Sequence, residues 1–185
     1  TEDYGSDYNK LWFISESGKW KQGDHYVGCP EYGPFTYELS HPSYRFTYFK
    51  NDNVYDGVCP ECGEENAQHA SYTEFGTNEK GVSVSATETL YGNEKVTEAD
   101  PYRDAEWAEA NKSERIGIEE TDIPTIILAE ASSAREGVKL LLDIYENYGC
   151  VAASGVFVCD KDEAWYVENC SGTQYVAIKL NDNMI

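Results

Sequence analysis

The length, composition and charge of the chain limit what it can be. Its 185 residues, 41% of them hydrophobic and 14% aromatic, are enough for one domain with a buried core, which excludes an intrinsically disordered chain. The net charge of −20 opposes binding to nucleic-acid phosphates and to anionic membrane surfaces, and no apolar run is long enough to span a membrane. We therefore expect neither nucleic acid nor membrane as a partner, whereas cationic ligands, metal ions or simple solubility fit this charge.

The first strands are predicted in the aromatic N-terminal part of the chain. Residues 11–14 form a short apolar run before a polar turn. Residues 36–39 and 45–49 alternate tyrosine and phenylalanine with polar residues, which is typical of half-buried strands. We therefore expect three short strands in this part of the chain.

Two similar turns carry three of the six cysteines. Cys29 begins the sequence CPEYG, and Cys59 and Cys62 lie in the closely similar CPECG. In a Cys-x-x-Cys turn, proline and glycine shape a tight bend that lets two thiolates face one cation. The pattern predicts a structural zinc site of Cys29, Cys59, Cys62 and one histidine, and the candidates for the fourth ligand are His25, His41 and His69. A disulfide between the two turns and free thiols are the alternatives.

The most regular strand pattern in the sequence follows a tight turn at residues 78–81, where Gly81 can take a positive φ. Small apolar and hydroxyl side chains then alternate, which is the period of a half-buried strand. Small side chains leave room beside a strand, so Glu88 at its end could face a cleft, and the alternative is an exposed strand end. We expect the two faces of the strand to carry Val82, Val84 and Ala86 on one side and Ser83, Ser85 and Thr87 on the other.

The segment of residues 92–114 is polar and acidic, and we expect it to run over the surface. Asp100, Pro101 and Tyr102 mark a turn within it, and residues 104–111 are predicted to form a short helix. Loops beside the end of a strand often shape the opening of a site, so this turn is either part of a site or an ordinary surface turn.

A first long helix is predicted to open at Asp122. Proline is tolerated in the first turn of a helix, so Pro124 is compatible with this start. Ile126, Ile127 and Ala131 supply the predicted apolar stripe. One face of this helix should therefore pack on the core.

A second long helix is predicted to begin with a capping box formed by Ser133 and Glu136. Apolar residues recur at helical spacing over residues 138–145, and Gly149 ends the pattern. Arg135, in the first turn, either reaches a site or is an exposed arginine at the start of a helix, and we favour the exposed position. Two consecutive helices predict one helical layer.

The pattern returns to alternation in the last part of the chain. Residues 156–158, 164–167 and 175–178 predict three strands joined by short polar turns, as in an antiparallel meander. Strands, then helices, then strands predict an α+β fold with an antiparallel sheet and a helical layer against it. Buried structural thiols are predicted at Cys150, Cys159 and Cys170.

The motifs along the chain resemble those of one enzyme family. Residues 78–89, NEKGVSVSATET, are similar to the signature of the cysteine-nucleophile dipeptidases of the dipeptidase A type, in the N-terminal-nucleophile hydrolase superfamily. Further matches follow in the expected order at residues 100–102, 117–118, Glu120, 122–123, 134–138, Asp160, 163–168 and 175–177. The resemblance implies the antiparallel sheets and helical layers of an αββα sandwich, of which a single domain of residues 1–185 would form a part. Residues 23–72 depart from the family pattern and form a cysteine-containing insertion.

The resemblance also implies where the catalytic groups lie. Thr1, Glu2 and Asp3 resemble the last three residues of the family's Arg-x-x-Asp element. The nucleophilic N-terminal Cys and the arginine would then precede residue 1, so we expect a fragment of a longer protein that is inactive by itself. Asp3 would orient the Cys amine by a hydrogen bond. The alternative, Thr1 as the nucleophile, is disfavoured because residues 2–10 are acidic and turn-like instead of a buried strand.

By the same resemblance, Thr87, Glu88 and Tyr102 would bind the substrate, with Glu88 holding the protonated amino terminus of a small peptide. The implied function is that of a bacterial cysteine dipeptidase that requires no cofactor for catalysis. An acylase of the same superfamily is one alternative, and a non-catalytic, zinc-stabilised acidic binding module is another. If the cysteines form disulfides, an extracellular location is favoured.

Overall fold

The computed structural model describes residues 12–14, 35–50, 58, 65 and 73–181. The strands within these residues are β1 (Trp12–Ile14), β2 (Thr36–Glu38), β3 (Phe46–Lys50), β4 (Thr73–Asn78), β5 (Ser83–Thr87), β6 (Gly155–Cys159), β7 (Ala164–Asn169) and β8 (Tyr175–Leu180). The helices are α1 (Glu94–Ala99), α2 (Ala105–Asn111), α3 (Ile123–Glu130) and α4 (Ala134–Tyr148), and a 3-10 helix (Glu120–Asp122) directly precedes α3.

Six of the strands form one antiparallel sheet in the order β3-β4-β5-β6-β7-β8, and β1 and β2 form a separate antiparallel pair. All neighbours in the larger sheet are also neighbours in chain order. The β5–β6 pair, which runs from Ser83 opposite Cys159 to Thr87 opposite Gly155, joins strands from the two ends of the helical region. The predicted α+β class, with its antiparallel sheet, is confirmed.

The helices α3 and α4 cover one face of this sheet and close the hydrophobic core. α3 packs on β4 and β5, and α4 packs on β6, β7 and β8. Each aliphatic side chain buried there contributes about 1.5–3 kcal/mol to stability. The core includes Val84, Val156, Val158 and Val167 from the sheet and Ile126, Leu128, Leu141 and Tyr145 from the helices.

All eight residues of α3 are buried, so the predicted one-sided stripe of this helix is too narrow. The helix lies between the sheet, α4 and the 3-10 helix, which leaves it no solvent-facing side. Ala131, which the prediction placed in the stripe, is the residue that caps α3 at its C-terminal end.

The opposite face of the sheet carries a row of side chains that crosses all six strands. The register aligns Phe49, Phe75, Ser85, Phe157, Tyr166 and Ile178 from β3 to β8. The rings of Phe49 and Phe75 stack at 5.1 Å, and Phe49 is 66% exposed. One helical layer and one sheet of the implied sandwich are thus described.

The turn between β4 and β5 is built on the side chain of Asn78, which is 4% exposed. Its amide oxygen accepts hydrogen bonds from the backbone of Lys80 and Val82, each at 3.0 Å. Gly81 has φ +83°, as the turn pattern predicted. The amide nitrogen of Asn78 donates to the carbonyl oxygens at Leu128 and Ala131, so one side chain joins the hairpin to the end of α3.

The start of α4 differs in detail from the predicted capping box. The Ser133 hydroxyl accepts a hydrogen bond from the backbone N–H of Glu136 at 3.3 Å, as expected. The Glu136 carboxylate instead accepts from the backbone N–H of Ser132 at 2.9 Å. The cap therefore extends over two serines, and Gly149, with φ +72°, ends the helix as predicted.

Two elements were not predicted, namely α1 and β4. α1 has no buried residue and is begun by Asn93, whose side chain accepts from the backbone of Lys95. β4 lies between β3 and β5 in the sheet. Among the described helices, none combines the length and the apolar character that crossing a membrane requires.

Candidate active site

Glu88 directly follows β5, the strand with the most regular alternation in the sequence. Val84 and Ala86 are each 3% exposed, while Ser85 and Thr87 face solvent, so the predicted alternation of β5 is confirmed. β5 ends at Thr87, and Glu88 is the first residue beyond the strand. Glu88 is exposed, yet partial burial of its carboxylate raises its pKa above the ordinary value. Glu88 is therefore a carboxylate that has lost part of its hydration.

Glu120 is a second carboxylate near Glu88, and it is almost fully buried. It opens the 3-10 helix, which packs on β4 and β5, and it is 9% exposed. Its carboxylate has no hydrogen bond or ion pair within the described part of the chain. Burial, together with the smaller effect of the charges of Glu74, Glu88 and Glu119, raises the pKa of Glu120 to about 7. At neutral pH this group is therefore divided between its protonated and ionised forms.

This carboxylate cluster, formed by Glu74, Glu88, Glu119 and Glu120, favours a cation. The negative charges of Glu74, Glu88 and Glu119 disfavour the ionised form of Glu120, and a bound positive charge relieves that repulsion. Within the described residues, no three histidine, cysteine, aspartate or glutamate side chains converge as metal ligands do. The arrangement suits an ammonium group, which needs carboxylate oxygens as acceptors and not a fixed coordination shell.

Tyr102, the third predicted substrate residue, lies in the segment between α1 and α2. Its hydroxyl is buried and has no hydrogen-bond partner among the described residues. A methyl group built at Gly92 would lie 2.9 Å from this hydroxyl oxygen, so glycine allows the close approach. The ring lines an open cavity of about 410 Å³ together with residues of α1 and α2, among them Thr97 and Trp107. The part of Tyr102 in substrate binding stays a prediction.

Asp100 fixes the turn that contains Tyr102. Its carboxylate accepts hydrogen bonds from the backbone and hydroxyl of Thr173, from the Ser171 hydroxyl and, at 2.7 Å, from the Arg103 guanidinium. Burial alone would raise the pKa of Asp100, but these hydrogen bonds outweigh it and hold the pKa below its ordinary value. The turn at residues 100–102 is thus anchored to the β7–β8 connection.

Two other residues named from the sequence can be compared with the structure. Asp3, the predicted catalytic residue, lies outside the described residues, so its role stays a prediction. Arg135 is exposed, pairs with Glu163 at 2.5 Å and lies over the ring of Trp165 at 5.3 Å. The preferred interpretation of Arg135 as an exposed residue at a helix start is confirmed.

The predicted zinc ligands Cys29, Cys59 and Cys62 also lie outside the described residues, as do His25 and His69. His41 is described. Its Nδ1 donates to the Pro42 carbonyl oxygen at 2.7 Å and its Nε2 donates to the Glu130 carbonyl oxygen at 3.0 Å. Burial lowers the pKa of His41, but these hydrogen bonds and the nearby Glu130 carboxylate raise it above its ordinary value overall. Both ring nitrogens are engaged, so His41 is not available as a zinc ligand in this conformation.

The other three cysteines are free thiols. Cys150 is 1% exposed, and burial raises its pKa to about 12, so it is an inert structural thiol as predicted. Cys159 and Cys170 are only half-buried, so the prediction of buried thiols is wrong for these two. Both lie at the ends of sheet strands, where solvent reaches the side chain.

We expect metal analysis of the purified protein to find about one zinc ion per chain, bound by Cys29, Cys59 and Cys62. Cys59→Ser should release the zinc, because a site with one thiolate fewer binds it far more weakly. Cys159→Ser is the matched control and should keep it. The loss of two titratable thiols without bound metal would instead indicate a disulfide, and three freely titrating thiols would contradict both predictions.

Comparison with known proteins decides the family. The model of peptidase family C69 matches residues 3–185. The chain belongs to peptidase family C69. The resemblance to the cysteine dipeptidases, drawn from the motifs, is therefore confirmed.

Curated proteins similar to this C69 chain carry the name dipeptidase. A probable dipeptidase of Latilactobacillus sakei is 33% identical over 159 residues, which cover 86% of this chain and 28% of that protein. A probable dipeptidase B of Streptococcus pyogenes is 32% identical over 183 residues, which cover 99% of this chain and 32% of that protein. The chain thus spans about a third of the length of these relatives.

Among solved structures, a penicillin V acylase from Agrobacterium tumefaciens aligns with 96% of this chain and 43% of its own. The TM-score is 0.45 and the sequence identity is 14%.

Sequence reasoning did not assign a role to Glu120. The residue stands in the acidic run Glu119-Glu120-Thr121-Asp122, which by itself resembles an ordinary acidic start of a helix. Its burial depends on β4 and β5, which are distant in sequence. The position of Glu120 in a family motif was the only signal available.

Proposed function

We propose that the protein containing this chain is a cysteine dipeptidase, and that the chain supplies the part that binds the free amino end of the substrate. Two observations support the proposal. Residues 3–185 match peptidase family C69, and two similar curated proteins are named probable dipeptidase and probable dipeptidase B. Within the family signature, Glu88 presents a partly desolvated carboxylate at a strand end.

Glu88 is the residue on which the substrate class depends. The charged amino terminus of a dipeptide loses hydration when it enters a cleft. An aligned carboxylate replaces that hydration with a charge-assisted hydrogen bond, worth about 1.5–3 kcal/mol. A substrate without a charged amino group has nothing to gain from Glu88. The carboxylate therefore favours peptides with free amino ends over N-acylated amides.

The chemical step belongs to groups that the family resemblance puts before Thr1. An N-terminal Cys would attack the peptide carbonyl and form a thioester, with its own α-amine accepting the thiol proton and passing it to the amine that leaves. Water would then hydrolyse the thioester, which releases the acid and restores the thiol. Asp3 would accept a hydrogen bond from that amine and so orient it. In this scheme no histidine takes part in catalysis.

In the full-length protein, Glu88→Gln should lower kcat/KM for free-amine dipeptides by about tenfold to a hundredfold, because glutamine keeps the shape but loses the charge. Hydrolysis of the corresponding N-acylated amides, measured in the same assay, should hardly change. Glu109→Gln, an exposed glutamate on α2, is the matched control and should behave like the wild type.

Three results would contradict this proposal. Equal losses on both substrate classes would make Glu88 a scaffold residue and favour the acylase alternative. No loss on either class would mean that the Glu88 carboxylate does not contact the substrate. No turnover of dipeptides by the unmodified full-length protein, beside a fold that is intact by circular dichroism, would favour the non-catalytic binding module.

A further inference from the structure

We propose that Glu120 is a second, specificity-determining carboxylate of the same subsite, and that Glu88 and Glu120 together hold the primary ammonium group of the substrate. This inference rests on the proposed function for the identity of the substrate, but not for the existence of the site. Glu88 is the exposed member of this pair and Glu120 the buried one.

The burial of Glu120 without a partner is the first argument. A carboxyl group that is 9% exposed normally finds an arginine, a lysine or several N–H donors, because burying it alone costs several kcal/mol. Glu120 has none of these within the described residues. Glu163, directly before β7, shows the contrast, because its carboxylate accepts from both Arg135 and Lys179. No such positive charge lies beside Glu120 among the described residues.

The charged groups near Glu120 also favour a bound cation. Among the described residues, the charged groups that raise the pKa of Glu120 are all carboxylates, namely Glu74 on β4, Glu88 after β5 and Glu119 before the 3-10 helix. A cluster of one sign, next to the end of the family's signature strand, lowers stability and needs a compensating function. A ligand cation is the charge that completes it.

The chemistry favours an ammonium group over a metal ion. The carboxyl groups do not converge as metal ligands within the described residues. A primary ammonium has three N–H donors, so it can bridge one exposed and one buried carboxylate without a fixed coordination geometry.

Binding of the cation must be linked to a proton. Glu120, with its pKa raised to about 7, holds a proton for part of the time at neutral pH. An ammonium group binds only the ionised form strongly, so Glu120 releases its proton when the cation binds. The affinity should therefore rise with pH up to about 8 and then level off, provided that the ligand keeps its own charge.

The test uses direct binding to the full-length protein, with L-alaninol as the probe. This aliphatic amine has no bond for a peptidase to cleave, and unlike a peptide α-amine it keeps its charge at about pH 8. Propane-1,2-diol is its neutral control, because a hydroxyl replaces the amine. We expect calorimetry to show about tenfold tighter binding of L-alaninol at about pH 8 than at about pH 6, and no comparable binding of the diol.

The variant Glu120→Gln should remove this pH dependence and weaken binding at about pH 8 by about tenfold. Glu109→Gln should leave both unchanged. In ¹³C-labelled protein, the chemical shift of the Glu120 side-chain carboxyl carbon should titrate with a midpoint near neutral pH. That midpoint should move to lower pH when L-alaninol is added. Tighter binding of Ca²⁺ than of the amine, equal binding of the diol, or pH-independent binding in the wild type would overturn the inference.

Thermal unfolding shows whether the Glu120→Gln variant is folded. A carboxyl group whose pKa is raised by folding makes the protein less stable as pH rises from about 4.5 to about 7, since the unfolded chain ionises first. Glu120→Gln should therefore have a higher Tm than the wild type at about pH 8 and a similar Tm at about pH 4. A Tm below that of the wild type at both pH values would mean that the Glu120 side chain stabilises the fold. That result would contradict the claim that its carboxylate is buried without a partner.

The experiment separates this inference from the proposed function. If L-alaninol binds with the expected pH dependence but dipeptides are not hydrolysed, the ammonium site stands and the proposed activity fails. If dipeptides are hydrolysed with the expected dependence on Glu88 while Glu120→Gln binds L-alaninol like the wild type, the inference fails alone.

Discussion

Asn78→Ala is expected to lower the free energy of unfolding by about 3–4 kcal/mol, which is among the larger effects of a single substitution. The Asn78 side chain makes four hydrogen bonds of 2.8–3.0 Å to backbone groups while it is 4% exposed. Removing it leaves buried backbone groups of the turn and of the end of α3 without a partner. Denaturation by urea, followed by circular dichroism, measures the loss.

Two further variants show what Asn78 contributes. Asn78→Asp keeps the acceptor for Lys80 and Val82 but replaces the donor to α3 with an oxygen that faces two carbonyl groups. It should therefore be nearly as destabilising as alanine. Asn147→Ala, on the exposed side of α4, should change stability by less than about 0.5 kcal/mol. A loss below about 1 kcal/mol for Asn78→Ala would show that the side chain does not join the hairpin to the helix.

Gly76→Ala should destabilise the fold by about 3 kcal/mol, because an added methyl group has no space. Gly76 lies in β4 beneath α3. A Cβ atom there would be 2.4 Å from the carbonyl oxygen of Thr47 and 2.8 Å from a methyl group of Leu128. The first contact is with backbone of the neighbouring strand, which cannot move without breaking the β3–β4 pairing.

Gly155→Ala is the matched control in the same sheet. Its Cβ atom would meet the hydroxyl end of Tyr166 at 2.8 Å, and a side-chain end can rotate away. We expect a loss of about 1 kcal/mol or less for this variant, measured by the same urea titration. Equal losses for the two variants would mean that the close packing of α3 on β4 does not set the cost.

The elements with strong periodic patterns could be predicted from the sequence. β5 alternates small apolar and hydroxyl residues, and α4 carries its cap, its apolar stripe and its terminal Gly149 in the chain itself. These patterns depend only on residues close together in the sequence, so they predict the element without knowledge of the tertiary structure. The family signature added the enzyme class, because its residues occur in order along most of the chain.

β4 and α1 were missed for opposite reasons. In β4 the core-facing position between Phe75 and Thr77 is Gly76, while Phe75 itself is 49% exposed. The apolar side chain of β4 therefore lies on the exposed face, and a glycine lies on the buried face. A glycine is needed there because α3 occupies the space that a side chain would fill. α1 buries no residue, so it has no apolar periodicity to detect.

The candidate site was only half predictable. Glu88 follows a recognisable strand, so its position could be derived from the pattern. Glu120 is buried by strands more than thirty residues earlier in the chain, and burial of that kind has no local signal. The same holds for Asp100, whose partners Ser171 and Thr173 come from the other end of the chain.

The strand order of the sheet has a consequence for how the chain folds. Strands β3 to β5 pair with their neighbours in the chain, and so do β6 to β8, so each half of the sheet can form from local contacts. The halves meet only at β5 and β6, where Val84 faces Val158, and residues 88–154 with all four described helices lie between them. Closing so long a loop costs entropy before the contact is made. We therefore expect the joining of the two halves, and not the formation of either half, to be the slow step of folding.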